Sequence, residues 1–126
     1  MGGANIVSGT GQIVSLKTAR EENLISGKFL FGPRDVLYSK IRPYLRKVAR
    51  PDFSGLCSAD MYPLRVCDEN VLDRGYLFYL LLSRRFTDYA NKVSNRAGMP
   101  KVNREQLFAY RFQLPSLARQ QEIVEF

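Results

Sequence analysis

The chain contains no histidine. That removes the commonest general base, the commonest zinc ligand and every serine or cysteine triad that depends on imidazole. Cysteine is nearly absent as well: Cys57 and Cys67 stand alone with no CxxC pair, so reduced thiols are expected rather than a disulfide framework. Long apolar runs are missing. The longest, YLFYLLL at 76–82, falls far short of the roughly 20 residues a membrane span needs and reads as part of a buried element. The start, MGGANIVSG, has neither the basic opening nor the apolar stretch of a secretory signal, and a cytoplasmic protein is expected. Acidic residues are the scarcer charge, 12 Asp and Glu against 19 Lys and Arg, which leaves a net charge of +7.

What is present fits one folded domain. The 126 residues are 45% apolar and 25% charged, the balance of a globular chain with a core. The positive excess is concentrated. Between positions 34 and 50 lie Arg34, Lys40, Arg42, Arg46, Lys47 and Arg50, opposed only by Asp35, with Tyr38, Pro43 and Tyr44 among them. Cations interleaved with flat rings suit a polyanion with stackable or groove-exposed bases, so nucleic acid is the first reading, DNA and RNA both open. A solvated basic face without a special partner is the plain alternative.

Along the chain, glycines punctuate the first third. SGTG at 8–11 predicts a turn, 12–16 a short strand and 18–25 a turn or two of helix ended by Gly27. SGTG is no nucleotide loop, because no GK[ST] follows. KFLF predicts a strand and GPRD a turn. DVLYSKI predicts a strand stopped by Pro43, and YLRKVA at 44–49 a further one. The stretch 56–66 reads as extended, with Pro63 favouring a sheet edge or bulge. The period then changes: 73–93 is helical, with Ser83 as a break and recap between two helices. The basic loop SNRAGMPK leads to Asn103, the expected cap of a short helix REQLFAY. RFQLP predicts a last strand, and Ser116 caps a helix LARQQEIVEF on which Leu117, Gln121 and Val124 share a face with Ile123 beside it. Asp60, Asp68, Glu69 and Asp73 match no metal-ligand spacing. The rings of 76–89 read as core, whereas Tyr44 is divided between core and ligand. The loop AGMPKVN reads equally as a connector or as a rigid element presenting Arg96, Lys101 and backbone N–H groups to phosphates.

Taken in order, DVLYSKIRPYLRKV, GLCSADMYPLR, YLFYLLLS, AGMPKVNREQL and FQLPSLARQQEIV resemble the specificity subunit of type I restriction-modification enzymes, and NIVSGTGQI resembles its early segment. The likeness runs over nearly the whole chain. It implies one target recognition domain, reading one half of a split DNA sequence, at 1–115 with an N-terminal piece of the family pattern missing. The start of the spacer helix follows at 116–126, and the chain is read as a fragment of the longer subunit. The expected fold is α+β: a twisted, mostly antiparallel sheet with helices on one side, ending in that spacer helix. The resemblance implies no catalysis and no cofactor in this chain. S-adenosylmethionine, ATP and Mg belong to the modification and restriction subunits expected as partners.

On this reading Lys40, Arg42, Arg46 and Lys47 bind phosphates or bases, arginine being suited to guanine O6 and N7 together. Tyr44 meets a thymine methyl or a sugar. Ser58 and Asp60 orient an arginine or accept from cytosine N4. Arg96, Lys101 and Asn103 bracket a second loop. The alternative is that YSKIRPYLRKV is framework shared by domains with different targets. Two further classes stay open: a general or RNA-directed nucleic-acid module, and a half-subunit that pairs with itself or a full subunit through Leu117, Gln121, Ile123 and Val124.

Overall fold

The computed structural model describes residues 1–13, 28–94 and 98–125. Five strands and four helices follow in order: β1 (Lys28–Phe31), β2 (Asp35–Ser39), β3 (Val48–Ala49), β4 (Gly55–Ser58), β5 (Met61–Arg65), α1 (Arg74–Leu82), α2 (Arg84–Val93), α3 (Arg104–Phe108) and α4 (Leu117–Glu125). All strand pairs are antiparallel. β3, β2 and β5 form one sheet in that order, and β1 pairs with β4 in a second.

β2 is the centre of the molecule because its apolar residues alternate onto two different cores. Val36 and Tyr38 face the helices, where Val48, Phe78, Leu81, Phe86, Ala90, Val102 and Leu107 complete a buried cluster. Leu37 faces the opposite way, onto Phe31, Ala49, Cys57, Met61, Ile6 and Met1. The layers are therefore helices, three-stranded sheet, and two-stranded sheet with the amino-terminal segment. Aromatic edges fix the helical side: Phe86 meets Tyr38 at a centroid distance of 5.6 Å and Tyr110 at 5.0 Å. The buried end of β2 is satisfied as well. Asp35 accepts from the Gly32 N–H at 2.8 Å and from Arg65 Nε at 3.0 Å, and Arg74 donates to the Asp35 and Pro51 carbonyls.

Several expected elements are present. Ser83 both ends α1 and caps α2, its Oγ accepting from the Phe86 N–H. Asn103 caps α3 in a reciprocal box with Gln106, and Ser116 Oγ accepts from the Arg119 N–H. Pro63 lies on β5, an edge strand, as an imino acid without an N–H requires.

Three expectations are corrected. Residues 44–49 are not a strand: Pro43–Leu45 form a 3₁₀ turn, and only Val48–Ala49 join the sheet. Arg42 and Arg46 on either side take left-handed backbone angles (φ 47° and 48°), which a ladder does not accommodate. The stretch 56–66 is two strands, β4 and β5, which belong to different sheets. RFQLP at 111–115 is irregular: it makes no ladder, and its Phe112 ring stacks on the preceding Tyr110 at 6.0 Å. Past residue 13 the expected strand 12–16 and helix 18–25 lie outside the described residues; Ile13 makes one bridge to Ile6. Cys57 is buried and Cys67 exposed, both as free thiols. No described helix is long and apolar enough to cross a membrane.

Candidate functional site

Two loops that are 60 residues apart in sequence meet at one corner. After β2 the chain passes through Lys40 to Arg42, and Ile41 bridges to Lys101. The Arg42 N–H donates to the Pro100 carbonyl at 2.8 Å, and the Val102 N–H donates to the Lys40 carbonyl at 2.9 Å. The Lys40 N–H donates in turn to the Asp60 carbonyl at 2.9 Å. Lys40, Arg42, Asp60 and Lys101 are thus joined through their backbones. Asp60 contributes a carbonyl, and this is a framework role that its carboxylate does not disclose.

The turn beyond is stiff. Pro43 sets one φ, the left-handed arginines flank it, and the Leu45 and Arg46 N–H groups close back on Arg42 and Pro43 at 2.9 and 3.0 Å. Tyr44, at the tip, is 53% exposed, which removes it from the core. Arg46 is exposed but not idle: Nη1 donates to the Leu82 carbonyl at 3.4 Å, its guanidinium lies against Gly9, and its carbonyl accepts from the Gly9 N–H at 2.9 Å. Ser8 Oγ donates to the neighbouring Leu45 carbonyl. A Cβ on Gly9 would stand 2.7 Å from Arg46 Nη2, and Gly9 sits at φ 71°, a left-handed angle that favours glycine. Lys47 runs beside Gly3, and its carbonyl accepts from the Ser39 N–H at 3.0 Å.

The other sequence candidates divide. Lys101 is exposed on the corner. Asn103 is exposed, but its side-chain oxygen is used on the Gln106 N–H at 2.8 Å, so capping accounts for it. Ser58 ends β4 beside the amino terminus, its N–H donating to the Met1 carbonyl at 2.8 Å. Arg96 lies outside the described residues. On α4, Val124 packs onto α1, 2.7 Å from where a Cβ on Gly75 would stand, and Leu117 is half-buried. Gln121 is exposed; the inward polar position is Gln120, fully buried. Gln120 donates to the Val71 and Pro115 carbonyls at 2.8 Å each and accepts from the Asp73 N–H at 2.7 Å. Gln120 and Val124 are one turn apart and so share the face packed inward. Ile123 is 39% exposed and lines a shallow groove with Tyr79, Arg119, Glu122 and Glu125.

Sequence reasoning missed Tyr62 and the particular placement of Arg50. The Tyr62 hydroxyl donates to the Val102 carbonyl at 3.1 Å, and the Lys40 ammonium lies 5.5 Å from its ring centre. Burial pushes this phenol above its ordinary range, against the opposing pull of Arg104, so it stays a donor. Strand alternation about Pro63 was the available signal, because it puts Tyr62 and Leu64 on the helix side. Arg50 is held over Phe78 at 4.4 Å and Tyr79 at 5.3 Å and serves the core rim. Arg74, nearby, is lowered by burial and then by Arg50, with Asp35 opposing.

Among the described residues the ion pairs are Arg34–Glu69, Arg65–Asp35, Arg84–Asp88 and Arg119–Glu122. None uses Lys40, Arg42, Arg46, Lys47 or Lys101. These five cations are un-neutralised on a braced surface, which suits capture of phosphate oxygens.

The family model for the type I restriction modification DNA specificity domain matches residues 5–126. The chain belongs to this family. It is 39% identical over 120 residues to the EcoDI specificity subunit of a type I restriction enzyme from Escherichia coli, an alignment that covers 95% of this chain and 26% of that protein. A solved structure concerned with complex assembly and conformational transition of the type I R-M system superposes with a TM-score of 0.84 at 25% identity, covering 99% of this chain and 33% of that one. The HsdS subunit from Thermoanaerobacter tengcongensis shares the fold, with a TM-score of 0.83 at 24% identity, 98% of this chain and 33% of that chain. This specificity domain thus spans about a quarter of the curated relative and a third of each solved one. The expected α+β architecture, antiparallel with a closing helix, is that of these structures.

Proposed function

We propose that the chain is a non-catalytic DNA reader, one target recognition domain that contacts half of a bipartite duplex site on behalf of modification and restriction subunits. Those subunits would carry S-adenosylmethionine, ATP and Mg. The observation that carries this reading is the group of Lys40, Arg42, Arg46, Lys47 and Lys101, none of which has an ion-pair partner among the described residues, with Tyr44 exposed beside them. Family membership supplies the class of ligand; the corner supplies a surface able to hold it. Phosphate contacts position the domain, and base edges within arginine reach supply selectivity.

The test is fluorescence anisotropy of the full chain against duplex DNA, single-stranded DNA and RNA over a salt series. Each neutralised phosphate contributes about −0.9 to the slope of log K against log salt, so five contacts give roughly −4.5 on duplex DNA. Binding is expected to be weak without a second half-site. Preference for RNA or single strands transfers the protein to the general nucleic-acid class, and indifference to duplex DNA at low salt overturns the reading.

A second reading has a specific observation behind it. Ile123 and Tyr79 are 39% and 42% exposed on one open groove between α4 and α1, a surface suited to a second copy of this chain. Sedimentation of Ile123→Lys beside the unchanged chain tests it. A self-associating protein becomes monomeric, whereas a protein that sediments as a monomer before substitution excludes this route.

A further inference from the structure

The two lysines of the corner share one support. Lys40 and Lys101 leave the short ladder formed by Ile41 and Lys101, and Tyr62 touches both sides of its attachment. Its ring lies under the Lys40 ammonium at 5.5 Å, and its hydroxyl donates to the carbonyl of Val102, the residue after Lys101, at 3.1 Å. Val102 is itself fully buried and donates its N–H to Lys40. Tyr62 is anchored from behind by register, paired with Tyr38 across β2 and β5 and packed against the main core. A ring fixed by the sheet therefore contacts Lys40 directly and the Lys101 loop through Val102. A cation over a ring face loses rotational freedom before any ligand arrives, and a loop carbonyl bonded to a half-buried phenol keeps the Lys101 loop from swinging away.

We propose that Tyr62 is a positioning residue for DNA: it holds Lys40 through its ring and the Lys101 loop through its hydroxyl, so that both ammonium groups meet phosphates in one fixed arrangement. The inference rests on the DNA-reading function above and adds the residue that organises its surface. The division of labour is chemical. Tyr62→Phe keeps the ring and loses the hydroxyl, releasing the loop alone. Tyr62→Leu loses both.

The experiment measures the salt slope of the full chain and each variant on a mixed-sequence duplex of about 20 base pairs, at a temperature well below each variant's Tm. Tyr62→Phe is expected to flatten the slope by about 0.9, one phosphate contact, and Tyr62→Leu by about 1.8. In a Lys101→Ala background, Tyr62→Phe is expected to cause no further flattening, a non-additivity that general loosening of the core does not produce. Should Tyr62→Leu fail to fold, Tyr62→Phe and its cycle with Lys101 decide the matter. Wild-type slopes in a folded Tyr62→Phe, or full additivity with Lys101→Ala, overturn the positioning role while leaving DNA reading intact. No duplex binding by the unchanged chain overturns both.

Discussion

The basic segment and the closing helix share a strong sequence pattern yet settle in opposite ways. The segment after β2 abandons regular structure: two arginines adopt left-handed angles, a proline turn leaves Tyr44 exposed, and its four cations, Lys40, Arg42, Arg46 and Lys47, have no carboxylate partner among the described residues. The helix α4 is regular and turned inward, with a glutamine on its buried face bonded to three backbone groups. The first region accepts local strain and leaves its charge open; the second satisfies every polar atom it buries. The two regions are distinguished by what is left unpaired among the described residues.

That contrast can be broken most forcefully at Gln120. Replacing it with leucine leaves the Asp73 N–H and the Val71 and Pro115 carbonyls without partners. The expected loss of stability is about 3 kcal/mol, read from urea denaturation, with the salt slope of DNA binding unchanged in the folded protein. Arg42→Gly sharpens the other side. Glycine takes φ 47° without the penalty an L side chain meets, so a gain of about 0.5–1 kcal/mol is expected, together with a slope about 0.9 shallower. A variant both less stable and undiminished in binding would show that Arg42 belongs to the framework. The smallest effect concerns alkali. Tyr38 and Tyr62 are raised by burial, so the native state holds its protons where the unfolded chain releases them. Stability is therefore full below the ordinary tyrosine range near 10 and falls as pH climbs through it. Tyr62→Phe is expected to lessen that fall, as followed by circular dichroism at rising pH.

Much of the helical half was readable in advance, because its signals are local. Asp73, Ser83, Asn103 and Ser116 lie three residues before the N–H groups they accept from, and such spacing is visible in one dimension. Pro63 declared an edge for the same kind of reason. The errors arose where the deciding partner was distant. Nothing in YLRKVA shows that Arg46 will bond to Gly9 and Leu82, contacts that accompany the turn at Pro43–Leu45 and leave only Val48–Ala49 to the sheet. On α4 the helix is legible but the inward place of Gln120 is not, since it bonds to groups at 71 and 73 that only tertiary packing supplies. At the candidate site, charge density identified Lys40, Arg42 and Lys101, whereas Tyr62 stayed hidden because a tyrosine on an alternating strand looks like any other core ring.

β2 gives the charged loop that follows it a fixed bearing. Val36 and Tyr38 enter one interior and Leu37 the other, so a slip of a single residue would drive each side chain into the wrong compartment and disrupt both at once. Lys40 is the first residue beyond that doubly locked strand. The direction in which the charged loop departs is thereby dictated from within the protein, and a mutation that repacks either interior will be felt as a change of aim at the surface.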